Sequence, residues 1–185
     1  MKYVFFALIF ALAAGILPAQ QSDSDPEQAT VAALPREFRG YSLGMDLDAL
    51  KDALSGDALL RFRGDRDVSF LPSHEQNLVE TTGLSYIRRA FFQLHEGSLF
   101  VMAFTLDPER IDHYSVYTSF TQKYGEPDSL NPMETVWESE TTRVSIERPL
   151  TVKYIDMGVF NQLSENSRTE ESREVQLREA FLEAF

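Results

Sequence analysis

The chain has 185 residues, of which 29 are acidic and 17 are basic, and its formal net charge is −12 at neutral pH. A protein this acidic repels phosphate backbones and anionic lipids, which disfavours nucleic-acid binding and peripheral membrane binding and favours a neutral or basic partner. The chain contains no cysteine, so disulfides cannot stabilise it and an apolar core must do so.

Residues 1–19 have the pattern of a secretory signal peptide. Lys2 precedes an uncharged apolar run that ends at Pro18 and the small residue Ala19. The run falls short of the roughly 18 to 20 apolar residues of a spanning helix, although an uncleaved anchor is the alternative interpretation. We therefore expect cleavage after Ala19, no stable membrane anchor afterwards, and a periplasmic or secreted location.

The segment 20–34 is polar and acidic without periodicity, which predicts a flexible leader ahead of a single domain at 35–160. The first element of that domain is a predicted helix. Asp46 is placed to cap it, and Gly56 stands where a left-handed residue ends a helix. Its apolar face and hydrophobic staple come from Met45, Leu47, Leu50 and Leu54.

The densest apolar stretch of the domain predicts a β-hairpin. Two runs rich in aromatic and β-branched residues, Tyr86–Leu94 and Ser98–Leu106, are separated by His95, Glu96 and Gly97. This spacing and the glycine are typical of a hairpin loop. The rest of the domain is expected to pack on these strands.

A second helix is predicted to start at Asp107, with Pro108 in its first turn and Gly125 at its end. Leu106 and Ile111 would form its hydrophobic staple. The apolar stripe of this helix would consist of Tyr114, Tyr117, Phe120 or Thr121, and Tyr124.

Each predicted helix is followed by segments of β type. Leu59–Phe70 and the hairpin follow the first helix, and Glu134–Glu138, Thr142–Arg148 and Thr151–Asp156 follow the second. The expected fold class is therefore α+β, with an antiparallel sheet, two principal helices on one face and two copies of a helix-then-strands unit.

Two stretches resemble known envelope proteins. The segment from Gly44 to Gly56 and the segment from Lys123 to Pro127 are similar to the helix-capping pattern of the outer-membrane assembly lipoprotein BamE (SmpA/OmlA) family. The same pattern occurs in the tandem units of β-lactamase inhibitory proteins. The resemblance implies a small periplasmic domain that binds another protein through its sheet face and loops, and it implies no catalytic residue. Unlike the first family, this chain lacks a lipid-bearing cysteine.

No catalytic constellation is recognisable in the sequence. The chain has no nucleophile elbow, no phosphate-binding glycine loop and no diagnostic pair of carboxylates. The densest group of potential metal ligands is Asp107, Glu109, Asp112 and His113, whose acidic members are explained by helix-start preferences. We expect neither a metal site nor a cofactor, and we expect no enzymatic activity.

Three features are candidates for contact with a partner. Arg88 and Arg89 add basic charge to a predicted strand, where they would point to opposite faces; local pairing with acidic residues is the alternative. Leu130 and Met133 lie in a loop that could present apolar surface. Arg63-Gly64-Asp65 spells an adhesion tripeptide, but a charged turn between strands is the simpler interpretation.

The segment 161–185 is predicted to end in a terminal amphipathic helix, preceded by a polar stretch, Ser164–Ser172, that is either a linker or the weak start of the helix. Apolar residues gather toward one side of it, namely Val175, Leu177, Ala180, Phe181, Ala184 and Phe185. Such a helix either docks on its own domain or inserts into a groove of another protein, and both alternatives remain open.

The sequence thus favours a non-catalytic module that binds another envelope protein or supports envelope assembly. Its contact residues would include Arg88, Arg89, Leu130 and Met133, and, in the terminal helix, Leu177, Phe181 and Phe185. The competing hypothesis is a small-ligand binder or hydrolase with a cavity between sheet and helices lined by Tyr114, Tyr117 and Trp137.

Overall fold

The computed structural model describes residues 33–70 and 76–183. The helices are α1 (Leu47–Gly56), α2 (His113–Tyr124) and α3 (Met157–Glu183). The strands of the first half are β1 (Glu37–Phe38), β2 (Tyr41–Ser42), β3 (Leu60–Arg61), β4 (Val68–Phe70), β5 (Gln76–Gly83), β6 (Ile87–His95) and β7 (Ser98–Leu106). Those of the second half are β8 (Ser129–Leu130), β9 (Glu134–Glu138), β10 (Thr142–Glu147) and β11 (Thr151–Asp156).

Nine of these strands form one antiparallel sheet. Its order is β3-β5-β6-β7-β11-β10-β9-β8, and β4 also pairs with β5. Strands β1 and β2 form a separate hairpin. The predicted α+β class with an antiparallel sheet is confirmed, and β11 joins the two halves by pairing with β7.

The central hairpin is confirmed, with a loop one residue shorter than the predicted three. His95 pairs with Ser98, so Glu96 and Gly97 alone make the turn. Both have positive φ, 49° and 76°, as a two-residue turn that matches the twist of its strands requires.

One face of the sheet carries the core. Side chains in register across four strands are buried there, namely Phe92, Met102, Tyr154 and Val144. Helix α1 adds Leu50 and Leu54 to this cluster, and α2 adds Val116 and Tyr124. The opposite face bears cross-strand ion pairs such as Lys153–Glu147 at 2.8 Å, which suits a face in contact with water.

Helix α1 begins as predicted and ends differently. The Asp46 carboxylate accepts a hydrogen bond from the Ala49 N–H at 2.8 Å. Gly56 is the last helical residue rather than a left-handed cap, and Asp57, with φ of −83°, follows as the cap. Asp57 ends the helix because its carboxylate accepts the Leu59 N–H at 2.7 Å.

The predicted start of the second helix at Asp107 is wrong. Helix α2 begins after Asp112, whose carboxylate accepts both the N–H and the hydroxyl of Ser115, at 2.9 and 2.7 Å. Asp107 instead opens a separate turn, in which its carbonyl accepts from Arg110 and Ile111. The predicted end at Gly125, with φ of 83°, is correct.

Strand β5 is an element that the sequence analysis did not predict. It pairs with β3, β4 and β6, and it takes up the chain between the segment Leu59–Phe70 and the hairpin. Its buried Val79 and Thr81 alternate with exposed Glu80 and Thr82. This alternation is the sequence pattern of a half-buried strand, but it extends over only a few residues. The Arg63-Gly64-Asp65 tripeptide lies at a single helical turn between β3 and β4.

Helix α3 follows β11 directly, so the polar stretch Ser164–Ser172 is helical rather than a linker. The Asp156 carboxylate accepts the Val159 N–H at 3.2 Å in the first turn. The predicted signal peptide, most of the leader, His74 and Phe185 lie outside the described residues. Within the described residues, no helix combines the length and apolar character needed to cross a membrane.

Candidate functional site

Helix α3 is attached to the sheet at its start, and its residues as far as Ser167 and Arg168 line a shallow depression together with residues of β5, β6, β7 and β11. Its root is anchored, because Met157 is buried and the Asp156 carboxylate pairs with Arg36. Burial alone would raise the pKa of Asp156, but hydrogen bonds from Arg36 and the Val159 N–H hold it below its usual value. The start of the helix is therefore fixed to the sheet.

Every residue from Glu165 to Leu182 is exposed. Val175, Leu177, Ala180 and Phe181 of the predicted apolar face are among them, whereas Ala184 and Phe185 lie outside the described residues. Leu177 is 63% exposed and Leu182 is 61% exposed. The helix thus leaves these two leucines exposed rather than packing them on the sheet.

The two arginines predicted to contact a partner both pair locally. Arg88 lies 3.1 Å from Asp107, and Arg89 lies 3.1 Å from Glu80. The prediction that they point to opposite sheet faces assumed a regular strand, but Arg88 is the extra residue of a β-bulge. A bulge redirects side chains, and both arginines are exposed.

The loop between β8 and β9 presents Leu130 and Met133, which are both exposed. Its backbone is held by Asn131, whose side-chain oxygen accepts from the N–H groups of Met133 and Glu134 at 2.8 and 3.0 Å. The loop is therefore a defined apolar projection at the edge of the sheet.

The three aromatic residues predicted to line a cavity occupy different environments. Trp137 is buried, and its Nε1 donates to the Gly125 carbonyl at 2.9 Å. Tyr117 packs beside it, with ring centroids 6.3 Å apart. Tyr114 is 74% exposed, because the later start of α2 places it in the first turn and off the apolar stripe.

A cleft of about 370 Å³ does lie between the sheet and α2, bounded on another side by the β1–β2 hairpin. None of Tyr114, Tyr117 and Trp137 lines it. Its walls are mostly apolar and are contributed by Phe38, Arg39, Leu59, Tyr86, Ile87, Phe104, Leu106, Ile111, Ser115, Val116, Ser119, Phe120, Val152 and Tyr154. Pockets of this size and character are typical small-molecule sites.

Among the described residues, Arg39 is the one charged side chain that lines the cleft. Its Nε and Nη2 donate to the Asp57 carboxylate at 3.3 and 3.1 Å. That carboxylate also accepts from the Tyr41 hydroxyl at 2.8 Å and from the Leu59 N–H. Burial would raise the pKa of Asp57, but these donors, Arg39 foremost, lower it below its usual value.

The aromatic floor of the cleft is formed by Phe38, Phe104 and Tyr154. The Phe38 ring lies 4.7 Å from that of Phe104 and stacks on Tyr154 at 5.9 Å, centroid to centroid. Tyr154 is only 3% exposed, and burial raises the pKa of its hydroxyl. That hydroxyl makes no hydrogen bond to any residue in the described part of the chain.

A larger but shallow depression, about 650 Å³, lies over β8, β9 and β10. Three of the acidic side chains that line it are engaged. Arg143 pairs with Glu134 at 3.3 Å and with Glu138 at 3.8 Å, and Asp128 accepts the Glu138 N–H at 2.7 Å.

The histidines inside the described ranges stand apart. His95 is buried at the central turn, and His113 begins α2, where burial and then the nearby Arg148 lower its pKa. Across residues 33–70 and 76–183, no three histidine or acidic side chains converge as a metal site.

Sequence reasoning missed the cleft because its walls come from distant segments. Phe38, Tyr86 and Tyr154 are each unremarkable in their local sequence, and only the fold brings them together. The local signal that was available is the Arg39-Gly40 pair, whose positive φ values of 53° and 87° mark the tight turn that places Arg39 at the cleft.

Comparison with known proteins gives a family match. The model of the TP0088 domain matches residues 36–166. No curated protein and no solved structure matches the chain.

Proposed function

Because the chain belongs to the TP0088 domain family over residues 36–166, we propose that this domain is a scaffold from which α3 projects to bind another protein. The matched range includes the sheet, α1, α2 and the first turns of α3. Exposed Phe160 lies within this range, whereas exposed Val175, Leu177 and Leu182 lie beyond it. In this proposal the chain is an exported, non-catalytic module that binds a protein of the cell envelope.

The observation that carries the proposal is the exposure of α3 from Glu165 to Leu182. Most helices in proteins owe their stability to the packing of an apolar face rather than to helix propensity. Leu177 and Leu182 supply such apolar surface without burying it on the sheet. A groove on a partner would bury it, as in other helix-in-groove complexes.

The charge of α3 defines the partner further. Between residues 165 and 183 acidic residues outnumber arginines, and the whole chain has a formal charge of −12. We therefore expect an apolar groove with a basic rim, because complementary charge speeds encounter and excludes acidic partners. The loop of Leu130 and Met133 and the strand of Arg88 and Arg89 are the candidate secondary contacts of the same partner.

The export part of the proposal rests on the signal-peptide pattern of residues 1–19. The resemblance to envelope assembly domains at Gly44–Gly56 supports the same compartment. The mass of the mature protein tests it directly: removal of residues 1–19 supports export, and an intact amino terminus in the cytoplasmic fraction contradicts it.

Site-specific photocrosslinking in cells tests the binding surface. A photoreactive phenylalanine analogue replaces Leu177 or Leu182 in the full chain, and matched controls carry it at the polar helix positions Thr169 or Gln176. We expect one partner adduct from the two leucine positions and little or none from the controls. The partner is then identified by mass spectrometry and purified.

Binding of the purified partner completes the test. The Leu177→Ser and Leu182→Ser variants should bind at least tenfold more weakly, whereas Thr169→Ser and Gln176→Ser should bind as the wild type does. Raising the salt concentration should slow association, since the expected rim is basic. The proposal is refuted if the adducts join two copies of this chain, or if the leucine variants bind unchanged.

A further inference from the structure

The cleft beside α2 supports a second, independent binding activity. We propose that it binds a medium-chain fatty acid, a linear aliphatic chain of about ten carbons that ends in a carboxylate. This site is separate from the exposed part of α3, so it does not depend on the protein-binding role.

Size and lining argue for an aliphatic body. A volume of about 370 Å³ holds roughly ten groups of the size of a water molecule or a methylene. The walls are mostly apolar: α2 contributes Val116 and Phe120, and the sheet contributes residues such as Phe104 and Val152. Burying each further methylene in such surroundings should tighten binding about fourfold.

The polar groups of the cleft argue for a head that accepts hydrogen bonds. The Asp57 carboxylate accepts hydrogen bonds from Nε and Nη2 of Arg39. The remaining nitrogen of the guanidinium, Nη1, has no partner within the described residues. A guanidinium held on one edge by a carboxylate can still donate from another edge to a second carboxylate. Its position is fixed in advance, since the Asp57 carboxylate is itself held by Tyr41.

A second donor reaches the same space. Tyr154 lines the cleft and is 3% exposed, and its hydroxyl has no hydrogen-bond partner among the described residues. A ligand oxygen in the cleft would give it one.

Calorimetric titration of the purified full chain with decanoate, below the micelle concentration, tests the proposal. We expect saturable one-to-one binding and a weaker response to octanoate, by about sixteenfold for two methylenes. Decanol has the same body with a neutral head, and it should bind more weakly than decanoate.

Variants locate the site. Ser119→Phe places a ring in the cleft from the exposed side of α2 and should weaken decanoate binding at least tenfold. Arg39→Gln should abolish the preference for decanoate over decanol, whereas Lys51→Gln, which removes another cation paired with an aspartate, should leave that preference unchanged. Thermal unfolding confirms that each variant is folded.

The results separate the parts of the proposal. Absence of saturable decanoate binding, or full binding by folded Ser119→Phe, overturns the site. Equal binding of decanol and decanoate by the wild type overturns the carboxylate head. The octanoate comparison uses only the wild type, so it tests the aliphatic body even if a variant fails to fold.

Discussion

Replacing Asp57 by alanine should destabilise the domain by about 3 kcal/mol. The carboxylate accepts from the Tyr41 hydroxyl, the Leu59 N–H and Arg39. Tyr41 is fully buried, and a buried donor left without an acceptor costs about 1–3 kcal/mol. Loss of the acceptor for Leu59 resembles the loss of a helix cap, about 1 kcal/mol, while the exposed pair with Arg39 contributes less than about 1 kcal/mol.

Urea unfolding at neutral pH measures this loss, with an unchanged m-value as evidence that the two end states are the same. Arg39→Gln is the matched control and should cost less than about 1 kcal/mol. The double variant Tyr41→Phe/Asp57→Ala should be less destabilised than Asp57→Ala alone, because it no longer contains the unpaired hydroxyl.

The pH dependence has a definite sign. Burial raises and hydrogen bonding lowers the pKa of Asp57, with a net decrease on folding. A carboxyl whose pKa falls on folding stabilises the protein above its unfolded pKa, and the contribution disappears as the pH falls through the folded value. The difference in free energy of unfolding between the wild type and Asp57→Ala should therefore become smaller at acidic pH. Two results would refute this account. One is an equal loss of unfolding free energy in Arg39→Gln and Asp57→Ala, and the other is a difference between wild type and Asp57→Ala that does not change with pH.

Two further substitutions test the fold. Asp46→Ala removes the acceptor of the Ala49 N–H and should lower the free energy of unfolding by about 1 kcal/mol; an unchanged urea midpoint would contradict the cap. Gly83→Ala would place its Cβ 1.8 Å from the Ile87 carbonyl oxygen, so thermal unfolding should show a loss of about 3 kcal/mol or more. Gly56→Ala, with nothing within 4 Å of the new Cβ, is the control and should be neutral or slightly stabilising; equal effects at both glycines would argue against the clash.

Elements with strong local signals were predictable from the sequence. The central hairpin combines two apolar runs with a glycine turn, and α1 combines a cap with regular apolar spacing. The strands Glu134–Glu138 and Thr151–Asp156 were predicted with the bounds that the structure shows. In each case the physical cause lies within about ten consecutive residues.

Elements that depend on competition or on distant partners were not predictable. Asp107 and Asp112 both suit a helix start, and the choice falls to Asp112 because Ser115 gives it two hydrogen bonds while Asp107 pairs with Arg88. The bulge at Arg88 follows from the register against β7. The cleft needs Phe38 and Tyr154 side by side, which no local pattern encodes.

The pairing of β7 with β11 also bears on how the chain acquires its fold. This pair joins the segments that lie farthest apart in sequence among the neighbours of the sheet, since Thr105 meets Thr151, whereas the next most distant pairing joins Leu60 to Gly83. Contacts between close segments form first, and the closure of a long loop comes later. During synthesis, one edge of β7 therefore stays unpaired until the chain has been extended past Asp156. Since that edge is rich in apolar residues from Leu99 to Phe104, a nascent or truncated chain that ends before β11 is the form most prone to aggregate.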